Sequence, residues 1–66
     1  MGKYTMDRAD IRLLEALQRD STQSIARLAE QAALSTSACH RRIRSLEQAG
    51  IIAGYGARLD PQRLGL

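Results

Sequence analysis

The 66-residue sequence contains no tryptophan, no phenylalanine, one cysteine and one proline. Without those large aromatics the core has to be built from leucine, isoleucine and alanine, and such a core is thin. A chain this short buries only about 60% of the surface its unfolded form exposes, so a partner subunit would help it. One cysteine excludes an internal disulfide, and no cysteine pair is present for a structural zinc site. The oxidised, secreted mini-protein class therefore does not fit. No stretch approaches the roughly 18 apolar residues of a membrane span, and the N-terminus has no apolar signal region. The expectation is a soluble, cytoplasmic chain with no membrane partner.

The first half has no net charge. Residues 1–34 carry five basic and five acidic side chains, whereas residues 35–50 carry three arginines against one glutamate. The net charge of +3 thus lies wholly in the second half. A basic balance permits nucleic acid, an anionic membrane or an acidic protein as partner, and does not choose among them.

What is present is organised around the stretch from Leu34 to Gly50. Ser35 is a good N-cap, since its hydroxyl can accept from free N–H groups of the first turn. Gly50 stands where a left-handed residue would close the helix. Between them, at 100° per residue, Ala38, Cys39, Ile43, Leu46 and Ala49 fall on one apolar arc of about 140°. Ser37, His40, Arg41, Arg44 and Gln48 project from the other side. An apolar back with a front of arginine and small hydroxyls suits the major groove of DNA.

The flanking chain supports that reading. Residues 1–6 form a leader, with Met6 placed to pack back onto the first helix. That helix runs from Asp7 to Arg19, with Asp7 as cap and Asp10 in a capping-box-like pair. Ile11, Leu13, Leu14 and Leu17 form its inner arc. After the polar break from Asp20 to Gln23, Ser24 opens a short second helix with Ile25, Leu28, Ala29 and Ala32 inside. Two helices joined by a tight turn, the second one basic, make the helix-turn-helix pattern. Beyond Gly50 the period becomes that of a strand, with Tyr55, Ala57 and Leu59 on one side. Asp60 and Pro61 end it. A lone strand needs a short local partner at Ile51 and Ile52, or a second chain. The apolar ending Leu64-Gly65-Leu66 reads as a cut through a longer protein.

The blocks MDRADIRLLEALQRD, SIARLAEQAALS, CHRRIRSLEQAGIIAGY and LDPQRLGL, in that order, carry a family resemblance. From about Met6 to Leu66 the chain resembles the Lrp/AsnC (feast/famine) transcriptional regulators. The resemblance implies a three-helix DNA-binding domain, a β-strand hinge and a C-terminal α/β domain that binds amino-acid effectors and drives assembly. That last domain is absent here. Several positions depart from the family. Ala33 stands where glycine is usual, which argues against a strongly left-handed turn there. Thr36 and Ala38 stand where prolines are common. Gln23 replaces an apolar residue ahead of the second helix, and Arg27 replaces a capping-box glutamate, so Ser24 caps alone.

Individual candidates carry two readings each. Arg41 and Arg44 are either a solvated basic surface or contacts to phosphate and to the O6/N7 edge of guanine; the short capped helix before them favours contact. Capping accounts for Ser35. Thr36 and Ser37, beside it, also stand where a recognition helix presents its first turn to bases and its free N–H groups to phosphate. His40 lacks partners for metal or acid–base work, leaving a base or phosphate contact. Ser24 and Gln23 open the helix that crosses the DNA backbone, and Arg58 is a further phosphate candidate. Arg42 and Asp10 each fall inside an apolar arc. A partly buried ion pair would join their helices, because a lone buried charge is costly; the other reading has Asp10 capping and Arg42 extending to the surface. Cys39 reads as a small core residue.

The expectation is an all-α, winged-helix-like helix-turn-helix domain over residues 1–50, with helices at about 7–19, 24–32 and 35–49. A short β hinge within residues 51–66 would lead to the effector domain. The function is sequence-specific binding of double-stranded DNA as a homodimer. The contacts are Ser24, Ser35, Thr36, Ser37, His40, Arg41 and Arg44, and Tyr55, Ala57 and Leu59 meet across the dimer. No catalytic pair, metal, cofactor or small-molecule site is expected in this chain. The rival is a small interaction module docking its basic helix on an acidic protein, which would need apolar anchors that the outer face of the third helix lacks.

Overall fold

Each helix begins at the side chain that can satisfy its free N–H groups. The computed structural model describes residues 4–65, so the first three residues of the expected leader, and Leu66 of the apolar ending, lie outside the described residues. Three helices follow in order: α1 (Arg8–Arg19), α2 (Ile25–Ala32) and α3 (Thr36–Gln48). Asp7 Oδ1 accepts from the Asp10 amide at 2.9 Å, and Asp10 Oδ2 accepts from the Asp7 amide at 3.3 Å, a reciprocal capping box built from two aspartates. Ser24 Oγ accepts from the Arg27 amide at 3.2 Å, and Ser35 Oγ from the Ala38 amide at 3.1 Å. Each such cap is worth about 1 kcal/mol.

The helix ends are closed by three devices. At the end of α1, Gln23 Nε2 donates to the carbonyls of Ala16 and Asp20, both at 3.0 Å. The glutamine that breaks an apolar pattern in sequence thus satisfies carbonyls that the helix leaves open. α3 closes on Gly50 at φ 77°, with the Gly50 amide donating to Glu47 and the Ile51 amide to Leu46, both at 3.0 Å. That is the Schellman pattern, as the glycine led one to expect. α2 closes in the same way on Ala33, whose amide donates to Glu30 at 3.2 Å while that of Leu34 donates to Ala29 at 2.8 Å. Ala33 has φ 58° and ψ 45° and is the one non-glycine residue of positive φ among the described residues. The left-handed turn forms despite the alanine, because the tight turn between α2 and α3 demands it.

Leu13 and Ala16 of α1, Leu28, Ala29 and Ala32 of α2, and Cys39, Ile43 and Leu46 of α3 form the buried core. Leu17, Ile25, Leu34 and Ile52 pack around it. Burial pushes the Cys39 thiol up from its ordinary value. Three positions expected to pack inward differ. Ile11 is 47% exposed, because the inward face of α1 centres on Leu13 and Ile11 stands about 160° round the helix from it. Ala49 and Met6 are exposed as well.

The expected hinge strand does not form: no strand occurs among the described residues. The amides of Ile51 and Ile52 both donate to the Leu46 carbonyl, at 3.0 and 3.2 Å, so the local pairing partner is already used in closing α3. Residues 53–60 have no regular secondary structure and are tied back by side chains instead. Ser21 Oγ donates to the Gly56 carbonyl at 2.9 Å, and Arg58 Nη2 to the Arg19 carbonyl at 3.0 Å.

One ionic cluster joins α1 to α3. Arg42 Nη1 lies 2.7 and 2.6 Å from the two carboxylate oxygens of Asp7 and 3.3 Å from Asp10 Oδ1. Asp10 is 2% exposed. The expected partner of Arg42 is thus present, and the nearer one is Asp7. The Asp10 carboxylate is held by an arginine and an amide, and among the described residues no buried side-chain polar atom lacks a hydrogen-bond partner.

Three outcomes follow for stability. Ala33→Gly relieves a left-handed alanine, a cost of about 1–2 kcal/mol, against about 0.4–1 kcal/mol of added unfolded-state entropy. Urea denaturation should show a net gain of up to about 1 kcal/mol. In the cluster, the Arg42 hydrogen bond to Asp7, with help from the Asp10 amide, holds the Asp7 carboxyl below its ordinary value of 3.8. Its contribution is therefore present above that value and lost as pH falls through the lower folded value. Asp7→Asn should flatten the acid limb of the stability curve. Arg42→Gln strands a buried carboxylate and should cost about 3 kcal/mol near pH 7.

Candidate nucleic-acid interface

The turn closed by Ala33 and the cap at Ser35 fix α3 against α2, and the buried row Cys39, Ile43 and Leu46 decides which face of α3 is left outside. Thr36, Ser37, His40, Arg41 and Arg44 are all exposed. At 100° per residue these five occupy one arc of about 140°. The structure therefore brings the expected α3 residues to a single outer face. Ser35 stands at its edge with its hydroxyl engaged in capping and 3.4 Å from that of Ser37. Ser24 lies apart from them in sequence, exposed at the start of α2 with its hydroxyl accepting from the Arg27 amide.

The three arginines of α3 are divided. Arg42 turns inward to Asp7 and Asp10, and these carboxylates hold its guanidinium above its ordinary value. Arg41 and Arg44 have no ion-pair partner among the described residues. Two strongly basic groups are thus free to meet an external anion, beside two hydroxyls and an imidazole. Phosphate oxygens and base edges in the major groove ask for such donors. Among the described residues no group of three His, Cys, Asp or Glu side chains could hold a metal ion, and no helix is long and apolar enough to cross a membrane.

Three features escaped the sequence reading. Asp7 is the nearer partner of Arg42; the available signal was the spacing of Asp7 and Asp10, which sets two carboxylates one turn apart. Gln23 and Gln31 join α1 to α2: Gln31 Nε2 donates to Gln23 Oε1, while Arg19 Nη2 donates to Gln31 Oε1 at 2.9 Å. Nothing in the sequence pattern marks those contacts. Tyr55 donates its hydroxyl to Glu47 Oε2 at 2.6 Å. Burial first, then the bond to Glu47 and its charge, push the phenol up to about 12. Of the other two residues assigned to a dimer contact, Ala57 is exposed and Leu59 is 71% exposed.

Residues 6–53 match a family model described as winged helix-turn-helix DNA-binding. The chain is 48% identical over 61 residues to the glutamate uptake regulatory protein of Zymomonas mobilis, which covers 92% of this chain and 37% of that protein. The crystal structure of an AsnC family transcriptional regulator from Agrobacterium tumefaciens superposes with a TM-score of 0.83 at 46% identity, covering 89% of this chain and 39% of that one. A transcriptional regulator from Neisseria meningitidis, solved in complex with L-Met, gives 0.89 at 42% identity, over 94% and 40%. The chain thus spans about two fifths of the length of these relatives, all of them named as regulators. The fold, the matched residues and the relatives agree: the chain belongs to the winged helix-turn-helix DNA-binding domains of Lrp/AsnC-type transcriptional regulators.

Proposed function

We propose that this domain binds double-stranded DNA sequence-specifically as a homodimer, with α3 of each protomer in successive major grooves about 34 Å apart. The observation that carries the reading is the division of arginines in α3: one is tied into the fold, and Arg41 and Arg44 are left unpaired on an outer face with Thr36, Ser37 and His40. Phosphate contacts from Arg41, Arg44, Ser24 and the N-terminus of α3 around Ser35 set affinity and register. Thr36, Ser37, His40 and one of the two arginines read base edges.

Residues 51–66 serve as the linker to an effector domain that would account for the remaining length of the relatives. The Neisseria regulator in complex with L-Met supports an amino-acid effector for that domain. Tyr55, Ala57 and Leu59 are the dimer contact, the exposure of Leu59 being its support. The protein works in the cytoplasm, on DNA, without catalysis of its own.

The test is fluorescence anisotropy with a random-sequence duplex over a salt series. Binding should weaken with salt at a log–log slope of about 0.9 per phosphate contact. Arg41→Ala and Arg44→Ala should each lower affinity, and lower the slope by about one unit where the arginine meets a phosphate. No binding at low salt, by the chain or by a covalently linked dimer, would sink the reading. The dimer contact is checked separately by sedimentation of a dimer-forming chain, which Leu59→Arg should shift towards monomer.

A further inference from the structure

The outer face of α3 carries one group of the wrong sign for DNA. Glu47 is the single acidic residue of the helix, and it lies one turn from Arg44 on the same strip, near enough for an ion pair. No such pair forms among the described residues. The Glu47 carboxylate instead accepts from the Tyr55 hydroxyl at 2.6 Å. His40, Arg44, Glu47 and Tyr55 line one open depression of about 310 Å³, so the arginine, the carboxylate and the phenol share one small space. Tyr55 is brought there by the chain after α3, which is anchored on both sides of it. Ile52 packs on the core before it, and Ser21 and Arg58 hold the backbone after it.

We propose that Tyr55 is a positioning residue for DNA binding: its hydroxyl holds the one carboxylate of α3 away from Arg44, and so ties the strength of the basic face to the placement of residues 51–58. This rests on the DNA-binding reading above and adds to it a control of the same face. A phenol suits the task because it is a neutral donor, which fixes the carboxylate without offering DNA a competing cation. Partial desolvation of this half-exposed ring and the carboxylate beside it hold that phenol protonated well beyond neutral pH. When the segment lifts, the hydroxyl leaves with it, Glu47 turns to Arg44, and the face has one free arginine fewer. Any domain or subunit attached through residues 51–58 can then alter DNA affinity without touching α3.

The experiment is duplex binding by the unsubstituted chain, Tyr55→Phe, Glu47→Gln and the double variant, with circular dichroism to check folding. Tyr55→Phe should weaken binding about fivefold at low salt and lower the salt slope by about one unit. Glu47→Gln in that background should restore both, which a purely structural role of Tyr55 would not allow. In a Tyr4→Phe background, Glu47→Gln should also bring the Tyr55 absorbance titration down from about 12. Unchanged binding by Tyr55→Phe, or a loss that Glu47→Gln does not repair, overturns the proposal while leaving the DNA reading intact. No binding by the unsubstituted chain, alone or as a covalently linked dimer, overturns both.

Discussion

The Asp7–Asp10–Arg42 cluster is the constraint on which the placement of α3 depends. α1 packs along α2 and α2 along α3, while α1 and α3 meet far less. The core holds three alanines and a cysteine among its eight buried apolar residues, which leaves little apolar surface to fix three helices. The cluster supplies the missing link. It is also inseparable from the start of α1, because the two carboxylates that receive Arg42 are the two that cap each other's amides. Capping turns both carboxylates to one side, and the arginine then satisfies the oxygens that capping leaves open. A buried carboxylate is tolerable only when its remaining lone pairs are met, and here an amide and a guanidinium meet them.

That arrangement determines what remains on the outer face of α3. An arginine inside an apolar arc spends its charge within the fold, so the three arginines of α3 amount to two outward ones, set against one carboxylate. The excess charge of this segment therefore overstates the basicity of the face it presents. What attracts a phosphate is the number of guanidinium groups without an internal partner, and in α3 that number is set by the neighbours of Arg42 and Glu47 rather than by composition.

The helices were legible because their boundaries are local chemistry. Asp7, Ser24, Ser35 and Gly50 each stand where a helix end leaves amides or carbonyls open, and each closes that end in the structure. The outer face of α3 was legible for a similar reason, since Cys39, Ile43 and Leu46 fix the inside by period alone. Ile11 was not, because its aliphatic neighbours alone set the inner arc of α1 too far round the helix; with Asp10 and Ala16 buried on either side of Leu13, the inward face centres on Leu13 and leaves Ile11 outside. The strand was not legible either. Alternation at Tyr55, Ala57 and Leu59 describes an extended chain, and whether such a chain pairs depends on a neighbour with free amides. Ile51 and Ile52 had already committed theirs to Leu46.

Contacts between distant polar side chains were the least legible, and they concern the site most. Arg42 meets Asp7 and Asp10 across more than thirty positions, and Tyr55 meets Glu47 across a change from helix to extended chain. Neither has a period or a spacing to betray it, because a long side chain on a helix can swing to any of several neighbours. The choice is made by geometry: Schellman closure at Gly50 turns the chain back towards α1, the ties at Ser21 and Arg58 hold it there, and Tyr55 is thereby delivered to Glu47. The turn that ends α3 thus also selects the partner of that helix's one acidic residue. A local backbone event and the electrostatics of the outer face of α3 are consequences of the same residue.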